Sequence, residues 1–208
     1  MAGRQSYQQK SNTLHDIHDY CVDIANRTIF LHAYIGDSED PGVDYRMSAR
    51  FIKNLHFLNN LNQNKITVHL QSIGGDWHEG MAIYDAMKAS KSKIEIIGHG
   101  SVSSMGSIII QAAHKRLLMP SAEFMVHYGD VALETTSAGA RTAVNWLDVC
   151  NRRMLSIYVN ACHGASKFKN QSKEQIHRFL DRRMRLRQDW YLTAKEAVAY
   201  GFIDGVVK

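Results

Sequence analysis

Proline is almost missing from this chain: Pro41 and Pro120 are the only two in 208 residues. With just fourteen glycines beside them, collagen-like and proline-rich disordered chains are excluded. Cysteine is nearly as scarce. Cys21, Cys150 and Cys162 are an odd number at wide, unpatterned spacing. They make neither a disulfide framework nor a zinc ligand set, which favours a reducing, cytoplasmic interior over secretion. No apolar run approaches the roughly 18 residues of a membrane span. The opening MAGRQSYQQKSN has no apolar signal-peptide segment. Excess charge is missing too: 25 Lys and Arg against 20 Asp and Glu leave +5, too little to imply a nucleic-acid partner. Membrane protein, disulfide mini-protein and obvious DNA-binder are thereby set aside.

What is present suits one domain with a sizeable core: 45% of the residues are hydrophobic and 22% charged. Residues 1–12 are polar and without period, so the first eighteen residues are expected to be a flexible segment ahead of a single domain over 19–208. Thr28–Leu31 is a β-branched and aromatic run that reads as a strand, followed by a loop, GDSEDPG, around Pro41. Met47, Phe51, Leu55 and Leu58 recur at helical steps. Residues 65–71 alternate, with Ile66, Val68 and Leu70 on one face, and Gly74-Gly75 end that strand. Met81, Tyr84 and Met87 open another helix. KIEII at 93–97 is a further strand, followed by a small-residue stretch (98–106) and an apolar helix (108–113). Strand and helix alternating at this spacing argue parallel βαβ units, an α/β class.

The second half has a different texture. Ala143, Leu147, Cys150, Met154, Ile157 and Ala161 step by 4 and 3, so a helix runs from about 140 to 162 with Gly164 as its stop. Its nearly heptad seam predicts packing along another helix, conceivably one from another subunit. Ser172 with Gln175, and Thr193 with Glu196, fit the capping box. Gly201 closes the second of these helices, and a last strand falls at 203–207.

Three places combine special backbone needs with reactive side chains. Gly74-Gly75 follows a strand directly, where paired glycines let amides approach a ligand, or simply make a turn. GHGSVSSMG (98–106) precedes an apolar helix; Ser104 is its best nucleophile, and the amide of Met105 can serve an oxyanion, although a packing turn with a capping serine has the same look. His127 ends the strand of AEFMVHYG, a position that structural histidines also occupy. Elsewhere, His15, Asp16, His18 and Asp19 show no metal-ligand spacing, so no metal or cofactor is expected. Arg178, Arg182, Arg183, Arg185 and Arg187 read as a solvated helix face or an inter-subunit surface. Trp77, Trp146 and Trp190 read as core or interface anchors.

In combination these blocks carry a resemblance. GGDWHEGMAIYDAMKASK, GSVSSMGSIIIQAAHKRLLMPSAEFMVH and DWYLTAKEAVAYGFIDGVV, in that order, resemble the ClpP family of caseinolytic serine peptidases. The similarity runs from about residue 20 to the end, interrupted at 130–170. Residue by residue, the resemblance implies Ser104 as nucleophile, His127 as general base and Asp189 as the acid that orients the imidazole. It places the amides of Gly75 and Met105 in the oxyanion hole. The chemistry fits those roles, because serine is a weak nucleophile until an imidazole takes its proton. The order Ser, His, Asp also differs from the chymotrypsin, subtilisin and α/β-hydrolase orders.

What the resemblance implies is a ClpP/crotonase-type α/β spiral of ββα units with a long helical handle at about 131–188. It further implies homo-oligomeric heptameric rings stacked in pairs, a tetradecamer, fed by a ring-shaped ATP-dependent unfoldase. The chain has no P-loop, so ATP use would belong to that partner. Two alternatives stay open: a crotonase-type acyl-CoA enzyme and a non-catalytic structural ring subunit. The departures bear on the second. The family's proline before the double glycine is Ile73, Asp76 follows the glycines, the glycine-rich stretch after the histidine is reduced to Gly129, and Gln188 replaces the arginine before the aspartate. An Asp76 carboxylate facing the cleft would oppose an oxyanion.

Overall fold

A computed structural model describes residues 7–32 and 42–208. The chain opens with helix α1 (Tyr7–Tyr20) and strands β1 (Val22–Asp23) and β2 (Thr28–Leu31). Then come α2 (Tyr45–Leu61), β3 (Ile66–Ser72), α3 (Trp77–Lys88) and β4 (Ile94–Ser103). The short helix α4 (Met105–Ile109) runs into a 3₁₀ turn (Ile110–Ala112), followed by β5 (Lys115–Leu118) and β6 (Glu123–Val126). The second half holds α5 (Ser137–Cys162), α6 (Lys173–Arg187), β7 (Trp190–Thr193), α7 (Ala194–Tyr200) and β8 (Gly205–Val206). The loop expected around Pro41 lies, Gly42 apart, outside the described residues.

Parallel pairing dominates, as the alternating elements predict. β2, β3, β4, β5 and β8 lie side by side, parallel, with β1 antiparallel at the β2 edge. β3 shows why its alternation was readable: Ile66, Val68 and Leu70 are fully buried while Thr67 and His69 are half-buried on the other face. One apolar cluster runs from Val22 to Ile203 and joins the sheet to α2, α3, α5, α6 and α7. Both capping boxes form, at Ser172 with Gln175 and at Thr193 with Glu196. Among the described residues no helix is long and apolar enough to cross a membrane.

The structure departs from the sequence reading in three places and refines it in a fourth. Residues 7–12, read as part of a polar tail, are helical as the start of α1; that segment lacks an apolar stripe but also lacks glycine and proline. β4 does not stop at Ile97 but continues through the small residues to Ser103. A side chain has no room at Gly98, where a Cβ would lie 2.5 Å from Leu118 on β5 and 2.6 Å from Val102 on β4 itself. The apolar helix expected at 108–113 is instead α4 plus a 3₁₀ turn, beginning earlier, at Met105. Finally, the α5 seam faces its own chain. Cys150 and Met154 are buried, Ala143 and Leu147 line a cavity, and it is the off-seam residues Val144, Trp146 and Val149 that are exposed.

Two polar clusters tie the β2–β3–β4 layer together. Arg27 is 8% exposed and donates to the carbonyls of Leu58, Asn62 and Asn64 and to Ser92 Oγ, at 2.9 to 3.1 Å. It thereby satisfies the orphan carbonyls at the end of α2. Replacing Arg27 with Met removes these hydrogen bonds and should lower the unfolding free energy by roughly 3 kcal/mol in urea titration. On the outer face, His69 stacks on Phe30 and its Nδ1 lies 2.8 Å from His99 Nε2. Burial, then the neighbouring His99, hold the His69 pKa below the ordinary histidine value. The unfolded chain therefore binds more protons, and this part of the stability is present above about pH 6.5 and lost as pH falls below it. Urea midpoints at pH 7.5 and 5.5 should differ more in the native chain than in His69→Phe.

Candidate active site

Two strand registers bring the predicted triad together. β4 forks: residues 95–98 pair with β5, and Ser101–Ser103 pair with β6, in parallel and with Ser103 opposite Met125. The amide of Ser104 continues that ladder by donating to the Met125 carbonyl at 3.0 Å. β6 pairs antiparallel with β7, Val126 opposite Trp190. The residues one step beyond that pair are His127 and Asp189. Their side chains meet: His127 Nε2 is 2.7 Å from Ser104 Oγ, and His127 Nδ1 is 3.3 Å from Asp189 Oδ1. The imidazole is largely buried, whereas the Asp189 side chain is 49% exposed.

Ser104 sits on a sharp turn from strand to helix, at φ 51° and ψ −121°. A non-glycine residue there is strained and needs its surroundings to hold it. Ser107 Oγ donates to the Ser104 carbonyl at 2.6 Å, and the buried Tyr158 hydroxyl lies 2.7 Å from Ser107 Oγ. This bracing from α5 escaped the sequence reading. Its trace is a serine three residues beyond Ser104 and a tyrosine hydroxyl on a buried helix face, which must find a partner.

The glycine pair passes directly under the serine. Gly74 and Gly75 have φ of 113° and 137°, a region side chains disfavour. A Cβ on Gly74 would overlap Ser104 Cβ and approach its Oγ to 2.8 Å and the Met105 amide nitrogen to 3.2 Å. Gly75 forms a parallel bridge with Val43, whose amide donates to the Gly74 carbonyl and whose carbonyl accepts from Asp76. Among the described residues the Gly75 amide has no backbone acceptor. Met105, as the first residue of α4, has no helical acceptor for its own amide. With α4 only five residues long, the local amides matter more here than a helix dipole.

Asp76 lines the same cavity as Ser104 but has a partner of its own. Its carboxylate caps α3, accepting from the Glu79 amide at 3.0 Å. Gly129 donates to Asn151 Oδ1 in α5, and Gln188 turns the chain at φ 53° between α6 and Asp189. Beside the serine opens a cavity of about 520 Å³. Ile108, Leu147, Cys150 and Met154 form much of its apolar wall, and His78 stacks on the half-exposed Trp146 where α3 and α5 approach. Cys150 is therefore a small wall residue; all three cysteines are free and buried. Among the described residues no cluster of three or more His, Cys, Asp or Glu could hold a metal. Of the five arginines on α6, Arg183 covers Trp190 and Arg185 pairs with Asp181.

Comparison with known proteins defines the class first. A point-mutant ClpP1 from Listeria monocytogenes superposes with a TM-score of 0.72 at 22% identity, covering 89% of this chain and 93% of that one. This is the ClpP fold, a mixed α/β architecture with a parallel sheet and a long helix. The Clp protease family profile matches residues 19–208, and the chain belongs to that family. The "ATP-dependent Clp protease proteolytic subunit 2" of Pseudomonas aeruginosa is 27% identical over 168 residues, 80% of this chain and 77% of that relative. At these identities the chain is a divergent member.

Gly74→Ala tests the close approach beneath the serine. The added methyl cannot coexist with Ser104 as placed. We expect a folded protein by circular dichroism in which labelling of Ser104 by a fluorophosphonate falls at least about 100-fold, the loss typical of a disturbed oxyanion site.

Proposed function

We propose that this chain is the proteolytic subunit of a serine-type endopeptidase, working through a Ser104–His127–Asp189 triad. The observation that carries the reading is the relay itself: Ser104 Oγ to His127 Nε2 at 2.7 Å, then His127 Nδ1 to Asp189 Oδ1 at 3.3 Å, at the wall of an apolar cavity. Membership of the Clp protease family supports it.

In the proposed reaction, His127 Nε2 accepts the hydroxyl proton as Ser104 Oγ attacks the peptide carbonyl. The amides of Gly75 and Met105 donate to the resulting oxyanion, each worth about 3 kcal/mol of barrier. The imidazolium, stabilised by Asp189, then gives its proton to the departing amine, leaving an acyl-enzyme. Water, deprotonated by the same imidazole, releases the carboxylate product and restores Ser104. An extended substrate lies as an added strand beside the cleft. With Asp189 half exposed, its value lies in fixing the tautomer and orientation of the ring more than in charge attraction, which solvent screens.

We further propose assembly into heptameric rings stacked in pairs, fed with unfolded polypeptide by an ATP-driven unfoldase. The relative from Pseudomonas is by name a subunit of an ATP-dependent protease. The exposed apolar residues Val144, Trp146 and Val149 on α5 suit burial in such an assembly. Hydrolysis of short fluorogenic peptides by the assembled chain is the test. Native protein should cleave, and Ser104→Ala and His127→Ala should each lose at least about 1000-fold, with the double variant little worse than either, because the triad acts as a unit. An assembled native protein that neither cleaves nor labels, with or without an unfoldase, would refute the proposal.

A further inference from the structure

The β6–β7 ladder ends one residue short of the pair it presents. Its last partners are Val126 and Trp190, and beyond them both His127 and Asp189 lie outside the strands. Sheet hydrogen bonds therefore aim the two side chains but do not hold them. A second connection spans the gap. Tyr128, directly after His127, donates its hydroxyl hydrogen to Asp181 Oδ1 on α6. Asp181 also accepts from Arg185 Nε at 3.0 and 3.1 Å, and the Arg185 guanidinium stands 5.3 Å from the centre of the Tyr128 ring. Two residues after Arg185, α6 ends, and Gln188 turns the chain into Asp189. The helix that grips the residue after the base is thus the helix that delivers the acid.

Charge reinforces the contact. Burial, then the hydrogen bond to Asp181, push the Tyr128 hydroxyl well above its ordinary pKa. Burial alone would raise Asp181, but hydrogen bonds from Tyr128 and Arg185 outweigh it and hold the carboxyl below its usual range. At neutral pH the pair is therefore a hydroxyl donating to a carboxylate, a charge-assisted bond stronger than a neutral one.

Resting on the serine-peptidase reading above, we infer that Tyr128 and Asp181 form a clamp that positions His127 against Asp189. Neither touches the reacting atoms; both act through the imidazole. The ring must be neutral to accept the serine proton and then stable as a cation until it protonates the leaving group. A half-exposed carboxylate 3.3 Å away meets the second need only while the distance is kept. Without the clamp, the segment after Val126 keeps its Gly129–Asn151 hydrogen bond to α5 but loses its tie to α6, the helix that delivers Asp189.

The test uses the full-length, assembled chain. Tyr128→Phe keeps the ring and removes only the donated hydrogen. It should lower kcat by about tenfold with KM within about twofold, the pattern of a lost transition-state interaction. It should also move the acid limb of the kcat/KM profile, and of fluorophosphonate labelling at Ser104, to lower pH, because a less well placed Asp189 stabilises the imidazolium less. Asp181→Asn should act in the same direction. The double variant should be no worse than the more affected single one, since Tyr128→Phe removes and Asp181→Asn weakens the same bond. Arg178→Gln, exposed on the same helix, should change neither rate nor profile. A Tyr128→Phe protein with native kcat and native pH profile overturns the clamp, as does one whose rate falls with the acid limb unmoved. If native protein labels at Ser104 while both clamp variants match it, the clamp alone fails. If native protein does not label at Ser104, the peptidase reading fails and the clamp falls with it.

Discussion

One backbone hydrogen bond, from the Ser104 amide to the Met125 carbonyl, is the pivot of this molecule. It extends the parallel β4–β6 ladder one residue past the end of β4 and so fixes the height of Ser104 against β6. The antiparallel β6–β7 ladder aims the His127 and Asp189 side chains at each other from one residue beyond its last pair. Side-chain chemistry then needs only ordinary rotamers to close a relay from Ser104 through His127 to Asp189. The β4 fork makes this possible, since a strand paired with β5 along one half and β6 along the other can deliver its C-terminal end away from the main sheet. A one-residue slip in either register would turn its side chain to the opposite face.

The cost of this delivery is local strain, and the surroundings absorb it. Ser104 occupies a backbone region that disfavours side chains, held by Ser107 and by Tyr158 from α5 behind it. Beneath it the chain must be glycine, because Gly74 packs against the serine and Gly75 against the Val43 backbone. The long helix α5 therefore does two things at once. Its inner face closes the cavity and braces Ser104, Trp146 stands half-exposed at the cavity against His78, and Val144 and Val149 are exposed. Mutations on α5 far from Ser104 in sequence are consequently able to disturb the elbow.

Much of this was legible from residues. The alternation of Ile66, Val68 and Leu70, the 4-and-3 stepping of α5 and the two capping boxes mark their elements because each answers to local periodicity or to orphan helix amides. The residue types at Gly74-Gly75, Ser104 and His127 mark places with unusual backbone or chemical needs. Other features were not legible, for identifiable reasons. The continuation of β4 through Gly98 to Ser103 is hidden because the glycine at 98 answers to crowding from Leu118 on β5, a tertiary demand. α1 offers no apolar stripe to read. The inward orientation of the α5 seam depends on which element covers it. Asp76 looked ambiguous because position alone cannot tell a capping carboxylate from one facing a cleft. Tyr128 and Tyr158 lie 53 and 51 residues from the partners they hold, Asp181 and Ser107, so no local pattern announces them.

The central claim is that these registers place a reactive serine under two converging amides. A crystal structure of the chain after reaction with a fluorophosphonate tests it most directly. The account predicts a phosphorus–Oγ bond at Ser104, with a phosphonyl oxygen about 2.7–3.1 Å from the amide nitrogens of both Gly75 and Met105. Modification of a different serine, or a phosphonyl oxygen turned away from both amides, would contradict it.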